Sequence, residues 1–297
     1  MSVDGLDELK RQSIKVSGFY AMSERDDFRS YAERILNCAE HLDFAMQNIQ
    51  GDLVGFINNV HWCRCPRCPL CQWAKVGKWR AKFFQGLRRL YLENEVNVIF
   101  VTLTSRNCCI KGLRDELELM ASAFNRLLSS LRRSGVVVGY IKALEVTWSL
   151  SQFGDTHPHY HVMFFLSGGR FPRWLLDDME WSRMWARSLQ VDYQPVCKAK
   201  FCRSGDLKSI LELVKYCVKP SDLSSDPDWL YDLTDQLYKK RSLTVGGIVS
   251  QYVKQSMLDR IDCVGRSGDE QNQDGLPASL DWDYIGDRYI LNLGVAV

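Results

Sequence analysis

Residues 157–166 read HPHYHVMFFL, and residues 143–147 upstream of them read ALEVT. Side chains alternate between the two faces of a strand, so positions i and i+2 share a face. His159 and His161 therefore project together, two imidazoles on one side of a sheet, with Tyr160 and Val162 opposite. His157 has the same parity, but Pro158 sets it at the strand entrance. Glu145 is a lone acid in an apolar run, and a carboxylate in a buried strand is costly unless paired or metal-bound. An antiparallel neighbour would bring it beside the two histidines. Two imidazoles and a carboxylate with open positions suit Mn²⁺ or Mg²⁺, and Zn²⁺ less selectively. The bland alternatives are a pair of satisfied core histidines and a salt-bridged strand acid. That this one segment holds three of the chain's five histidines favours the metal.

Outward from this pair, Val96–Thr104 (VNVIFVTLT) is a β-branched run and reads as a buried strand. Strands are also expected at 136–148, 159–166 and 191–196. Helices are expected over 26–45, 73–92, 113–132, 172–189 (Pro172 in its first turn), 206–218, 229–238 and 247–258, and residues 1–23 read as loosely ordered. The cysteine- and proline-rich stretch 58–72 cannot be a regular element. The last 35 residues are acidic, with an apolar end at 289–297 that docks back. The class is α+β, with one mostly antiparallel central sheet and flanking helices.

The chain has 297 residues, 46% apolar and 25% charged, the balance of a globular protein with a real core. No apolar stretch is long enough to span a bilayer, and the polar N-terminus MSVDGLDELKRQ is no secretory signal. The net charge of +2 is unevenly spread. Residues 262–297 hold seven acids against two basic residues, so the other 261 carry +7. Between Cys63 and Tyr91 lie eight basic residues and no acid: Arg64, Arg67, Lys75, Lys78, Arg80, Lys82, Arg88 and Arg89. Such a stretch is either a solvated helix face or the footprint of a polyanion, most simply nucleic acid.

Eleven cysteines, with Cys108 and Cys109 adjacent, point to a reducing, intracellular setting. Four of them fall within nine residues, Cys63, Cys65, Cys68 and Cys71. Cys68-x2-Cys71 is a zinc-knuckle spacing. Cys63 or Cys65 supplies a third thiolate, and Cys38 or His61 a fourth. Further on, Glu212 and Tyr216 are i and i+4 on the expected helix, with Lys219 following. A tyrosine flanked by a carboxylate and a lysine has what phosphoryl transfer needs, because a phenol with a pKa of about 10 needs nearby positive charge to act as a nucleophile. Taken alone, a Glu-x-x-x-Tyr pair is usually structural.

Together these motifs resemble the rolling-circle replication initiators (Rep proteins) of small bacterial plasmids, in the HUH endonuclease superfamily, and within it the group with one glutamate and one tyrosine in a shared motif. The resemblance runs in order along most of the chain. It begins at Arg34 to Cys38 and Leu42 to Phe44, continues through Cys68-Pro-Leu-Cys71 and Phe100 to Thr104, and takes in Glu145, His157-Pro-His159-Tyr-His161 and Glu212-x-x-x-Tyr216 with Lys219. It ends at Leu237 to Leu243 and Gly246-Gly247. It points to Cys63 as the third knuckle thiol and leaves Cys65 supernumerary.

The resemblance implies a sheet of the HUH (RRM/ferredoxin-like) type with an N-terminal zinc knuckle, and three parts. These are a helical, basic, knuckle-bearing region at 1–92, a nickase domain at 93–223 and a helical region with an acidic tail at 224–297. It implies Mn²⁺ or Mg²⁺ on His159, His161 and Glu145, and structural Zn²⁺ on Cys38, Cys63, Cys68 and Cys71, with Cys65 or His61 as substitutes. Tyr216 would attack DNA at a plasmid origin, forming a 5′-phosphotyrosine. Glu212 would activate water at termination, and Lys219 would stabilise charge. The eight basic residues would hold the DNA backbone around a single-stranded nick site and its flanking duplex. Host helicase and polymerase would be partners, in the cytoplasm and without a membrane. No G-x-x-x-x-G-K-[ST] loop is present, as expected if the phosphotyrosine stores the bond energy. The alternatives are a non-catalytic DNA-binding regulator, an HUH transposase or relaxase, and a small-phosphoester hydrolase, which the basic helix disfavours.

Overall fold

The β-branched run at Val96–Thr104 and the apolar run through Phe165 pair strand to strand, and one of two sheets is built outward from them. The computed structural model describes residues 3–49, 52–149, 155–169, 172–203, 207–256 and 276–293. In chain order the helices are α1 (Val3–Ala21), α2 (Asp26–Leu36), α3 (Pro69–Glu93), α4 (Leu113–Arg133), α5 (Asp178–Leu189), α6 (Leu207–Leu213), α7 (Pro220–Leu223), α8 (Pro227–Gln236) and α9 (Val249–Ser256). The strands are β1 (His41–Ile49), β2 (Asp52–Val60), β3 (Val96–Thr104), β4 (Cys108–Cys109), β5 (Val137–Trp148), β6 (Asp155–Ser167), β7 (Cys197–Cys202), β8 (Leu243–Gly247), β9 (Leu276–Asp283) and β10 (Arg288–Leu293). The chain is α+β. Among the described residues there are two sheets instead of one, and the chain divides into two compact units: residues 1–78, 220–231 and 260–297, and residues 79–219 and 232–259.

In the first unit the order is β10-β9-β1-β2, antiparallel throughout. The C-terminal stretch does dock back, as two strands, with Leu280 opposite Leu42. Residues 1–23, expected to be loose, contain the 19-residue helix α1. Its inward stripe was hidden because half of it is polar. Leu6, Leu9, Val16 and Tyr20 are buried beside Lys10, Ser13 and Ser17. Each polar member reaches a carbonyl: Lys10 donates to Leu36 O and Cys38 O at 2.8 Å each, Ser17 to Ala32 O and Ser13 to Leu9 O. The helix expected over 26–45 stops at Leu36. Ala39 takes a left-handed φ of 50° and donates to His61 O, and from His41 the backbone pairs with β2 and β9.

In the second unit the path is β7-β3-β6-β5-β8, with β4 on β6, again antiparallel. Helix α4 lays Leu117, Met120, Phe124, Leu127, Leu128 and Leu131 against one face. There Phe124 stacks on Phe164, and Phe164 on Trp181 of α5. Helix α5 starts at Asp178 rather than near Pro172, because the Asp177 carboxylate caps Met179 and Glu180 and only a 3₁₀ turn precedes it. The strand expected at 191–196 is displaced to Cys197–Cys202, since Pro195 has no N–H for a ladder. Strand β8 lies almost wholly in the stretch between the helices expected at 229–238 and 247–258. Its two glycines are required: a Cβ on Gly246 would lie 2.2 Å from the Tyr140 ring, and Gly247 has φ +65° with Val138 O 2.2 Å from where a Cβ would sit. Among the described residues, no helix is long and apolar enough to cross a membrane.

Candidate metal centre and tyrosine strap

Strand β6 lies between β3 and β5, and pairing sets Glu145 directly opposite His159 on one side and Thr104 opposite His159, Thr102 opposite His161, on the other. Paired residues of antiparallel strands share a face. The ladder thus delivers the carboxylate to the histidines as the spacing predicts. Glu145 Oε2 lies 2.9 Å from His161 Nε2 and 3.3 Å from His159 Nε2, with all three residues buried. The ring centroids of His159 and His161 are 4.9 Å apart, edge to face. Burial alone would raise the Glu145 pKa, but the two facing imidazoles hold it well below the usual carboxylate range.

The far nitrogens of both rings are engaged. His159 Nδ1 is 3.2 Å from His157 O, an acceptor only, so that nitrogen carries a proton, and Nε2 is the nitrogen turned to the carboxylate. His161 Nδ1 is 3.2 Å from Thr102 Oγ1, which can accept from it. Two Nε2 atoms aimed at one carboxylate oxygen need protons or a cation between them. The donor set N, N, O fits a divalent ion with further positions open. Thr102 and the His157 carbonyl were not singled out from sequence, and the signal for Thr102 was its register against His161. His157 itself turns aside, with Nδ1 2.8 Å from Asn107 Oδ1.

The third motif departs from its expected form. Helix α6 ends at Leu213, so Glu212 lies in its last turn and Tyr216 lies beyond it in an irregular strap. Two contacts end the helix. Arg80 donates from Nε to Val214 O at 3.1 Å and from Nη2 to Leu211 O at 3.4 Å. The strap then runs alongside β5 past the end of β8, where Val146 N–H donates to Cys217 O at 2.7 Å. Tyr216 is half-buried, and burial raises its phenol pKa against the opposing pull of Arg80. Glu212 is ion-paired with Lys215, and Lys219 is exposed just before Pro220.

In the first unit the sulfurs of Cys38, Cys63, Cys68 and Cys71 lie within 4.8 Å of one another. The fourth sulfur of the group is that of Cys38. Cys65 is buried but turned to Cys63 O, and His61 is outside the group. Backbone N–H groups of Cys63, Arg64, Cys65 and Cys71 point at sulfurs of the group, 3.3–3.5 Å away, as around thiolates. Hydrogen bonds within the cluster push the Cys38 thiol up and pull Cys63 down. Four thiols this close ionise together only around a cation, and four sulfurs fit Zn²⁺.

The basic residues divide. Arg64 and Arg67 precede α3, and the rest lie on it. At 3.6 residues per turn Lys75, Lys78, Lys82 and Arg89 fall in one stripe, with Arg80 well outside it.

A family profile described as a replication protein matches residues 54–290. The chain belongs to the replication protein (Rep) family. Its relatives include a Protein rep of Lentilactobacillus hilgardii, 26% identical over 88% of this chain and 87% of that protein. Others are a Protein rep of Bacillus amyloliquefaciens, 26% identical over 84% of this chain and 80% of that protein, and one of Streptococcus pneumoniae, 28% identical over 77% of this chain and 73% of that protein. No solved structure matches this chain.

Proposed function

We propose that this Rep protein is a metal-dependent DNA-nicking and strand-joining enzyme. It would start and end rolling-circle replication at a plasmid origin, working in the cytoplasm with host helicase and polymerase. The reading is carried by the convergence of Glu145, His159 and His161 one strand position from the tyrosine strap, which is tied to Val146. Glu145, His159 and His161 would hold a divalent ion, which would supply charge to polarise a non-bridging phosphate oxygen. The chain's residues do the rest, within 93–223. The Tyr216 phenol gives up its proton to solvent and its oxygen attacks phosphorus. A tyrosyl O–P bond forms, the P–O3′ bond breaks, and the 3′ oxygen leaves with the electron pair and takes a proton from water. Lys219 offsets charge on the phosphate, and Glu212 acts as base for water at the final cleavage. The other basic residues of 63–91 track the DNA backbone, and zinc on the four cysteines fixes the start of α3.

The test is covalent capture. With Mn²⁺ and single-stranded DNA of the replicon that carries the reading frame, the protein should form an adduct that peptide mass spectrometry maps to Tyr216. Tyr216→Phe should abolish the nick and the adduct while leaving DNA binding intact. An adduct on another tyrosine would overturn the assignment. Binding without any cleavage would favour a non-catalytic regulator.

A further inference from the structure

Within the basic stretch, Arg80 uses its guanidinium inside the protein. It bonds Leu211 O in the last turn of α6 and Val214 O just beyond it, where a helix's last carbonyls have no intrahelical partner. Arginine suits this place: its planar fork serves two acceptors at once and it stays charged at every working pH. Two residues after Val214 comes Tyr216, whose phenol is shifted upward by burial, with Arg80 as the cation that opposes the shift. Glu212 cannot replace it, being an anion already paired with Lys215. The strap is fixed at its other side by Cys217 O on Val146 N–H, so Tyr216 hangs between two anchors, one of them Arg80.

We propose that Arg80 is a positioning residue for Tyr216, clamping the end of α6 so that the strap leaves it at the right point and holding a fixed positive charge at the Val214 carbonyl, two residues from Tyr216; the inference rests on Tyr216 being the nucleophile. It removes Arg80 from the DNA-contacting set and gives α3 a role in the chemistry as well as in binding. The guanidinium transfers no proton. It lowers the cost of the phenolate that forms when the phenol proton goes to solvent, before the oxygen attacks phosphorus.

The test uses the full chain with Mn²⁺ and single-stranded replicon DNA, and compares wild type with Arg80→Met and Arg80→Lys. At saturating DNA and neutral pH, Arg80→Met should cut the single-turnover nicking rate at least about tenfold. Its DNA Kd should stay within about twofold, because one lost phosphate contact is the alternative. Its rate should rise with pH later than wild type, as expected when a nearby cation is removed from an acid. Arg80→Lys should recover part of the rate, since it keeps the charge and loses the fork. A weaker Kd with an unchanged saturated rate would make Arg80 a phosphate contact and overturn the proposal. An unshifted pH profile with Arg80→Lys as slow as Arg80→Met would overturn the charge role. Hydrogen exchange without DNA tests the clamp separately: amides 211–218 should exchange faster in Arg80→Met, and unchanged exchange would overturn it. A wild-type protein that forms no Tyr216 adduct would instead refute the nucleophile and with it the charge role, while the exchange measurement still decides the clamp.

Discussion

The two ligand clusters are built from opposite materials. Cys38, Cys63, Cys68 and Cys71 come from the end of α2, an irregular segment and the first turn of α3. No ladder holds them in place, and four sulfurs leave no free position on a tetrahedral ion. Glu145, His159 and His161 sit on two paired strands whose backbone bonds fix all three before any ion arrives. They leave positions open. At the knuckle an ion would shape the chain, whereas on the sheet the chain would shape the ion's surroundings. This is the general difference between structural and catalytic sites. It predicts that damage to the two clusters shows in different measurements.

The largest effects belong to the sheet. His159→Ala or His161→Ala should remove nicking by about 10³-fold or more, the loss of several kcal/mol of charge stabilisation. The melting temperature should barely move. Chelator should block nicking in the wild type and added Mn²⁺ or Mg²⁺ should restore it. Full nicking in excess chelator would break the catalytic half of the comparison.

Substitution at the knuckle should read the other way. Cys68→Ser or Cys71→Ser should lose bound zinc and stability. A structural zinc is worth on the order of 10 kcal/mol in isolated peptides, and less here, where α1, α2 and a sheet share the load. Cys65→Ser is the control, because that thiol is buried but outside the group. It should keep its zinc by elemental analysis. If Cys65→Ser lost the metal and Cys38→Ser kept it, the assignment of the fourth thiol would be wrong.

What the sequence made legible follows from the same contrast. The sheet site was readable because strand alternation is strict and the apolar runs at Val96–Thr104 and through Phe165 admit only a buried strand. The knuckle spacing was readable, but the choice between Cys63 and Cys65 and between Cys38 and His61 needed the fold, since loop ligands obey no period. Helix α1 was missed because Lys10, Ser13 and Ser17 occupy its inward stripe. The end of α6 was missed because the pattern from Leu211 to Val218 is helical and the bonds that end it come from Arg80 and Val146, distant in sequence.

A smaller effect sharpens the sheet side. Thr102 should matter through His161, whose Nδ1–H it accepts once Nε2 binds an ion. Thr102→Val keeps the shape and removes the acceptor. Such outer partners are typically worth about 10–100-fold in metal affinity. The Mn²⁺ concentration for half-maximal nicking should rise by that order, with the rate at saturating Mn²⁺ nearly unchanged. An unchanged Mn²⁺ requirement would reduce Thr102 to packing.

The smallest expected effect on the first nick is at Glu212, where the structure also supplies the competing account. Its carboxylate is ion-paired with Lys215, and both side chains are more than a third exposed. A pair of that kind contributes at most about 1 kcal/mol, so if pairing were its whole role Glu212→Ala would change little. The base role predicts something more selective. The first cleavage uses the tyrosine and needs no activated water, so Glu212→Ala should still nick and still form the tyrosyl adduct. Termination hands the second cleavage to water, and a well-placed base is worth roughly 10²–10⁴ in that rate. Products longer than one unit should therefore accumulate in a replication assay. Unit-length circles at the wild-type rate would leave Glu212 as a surface ion pair. Loss of the first nick as well would mean that the carboxylate serves Tyr216 through the strap, the kind of role proposed for Arg80.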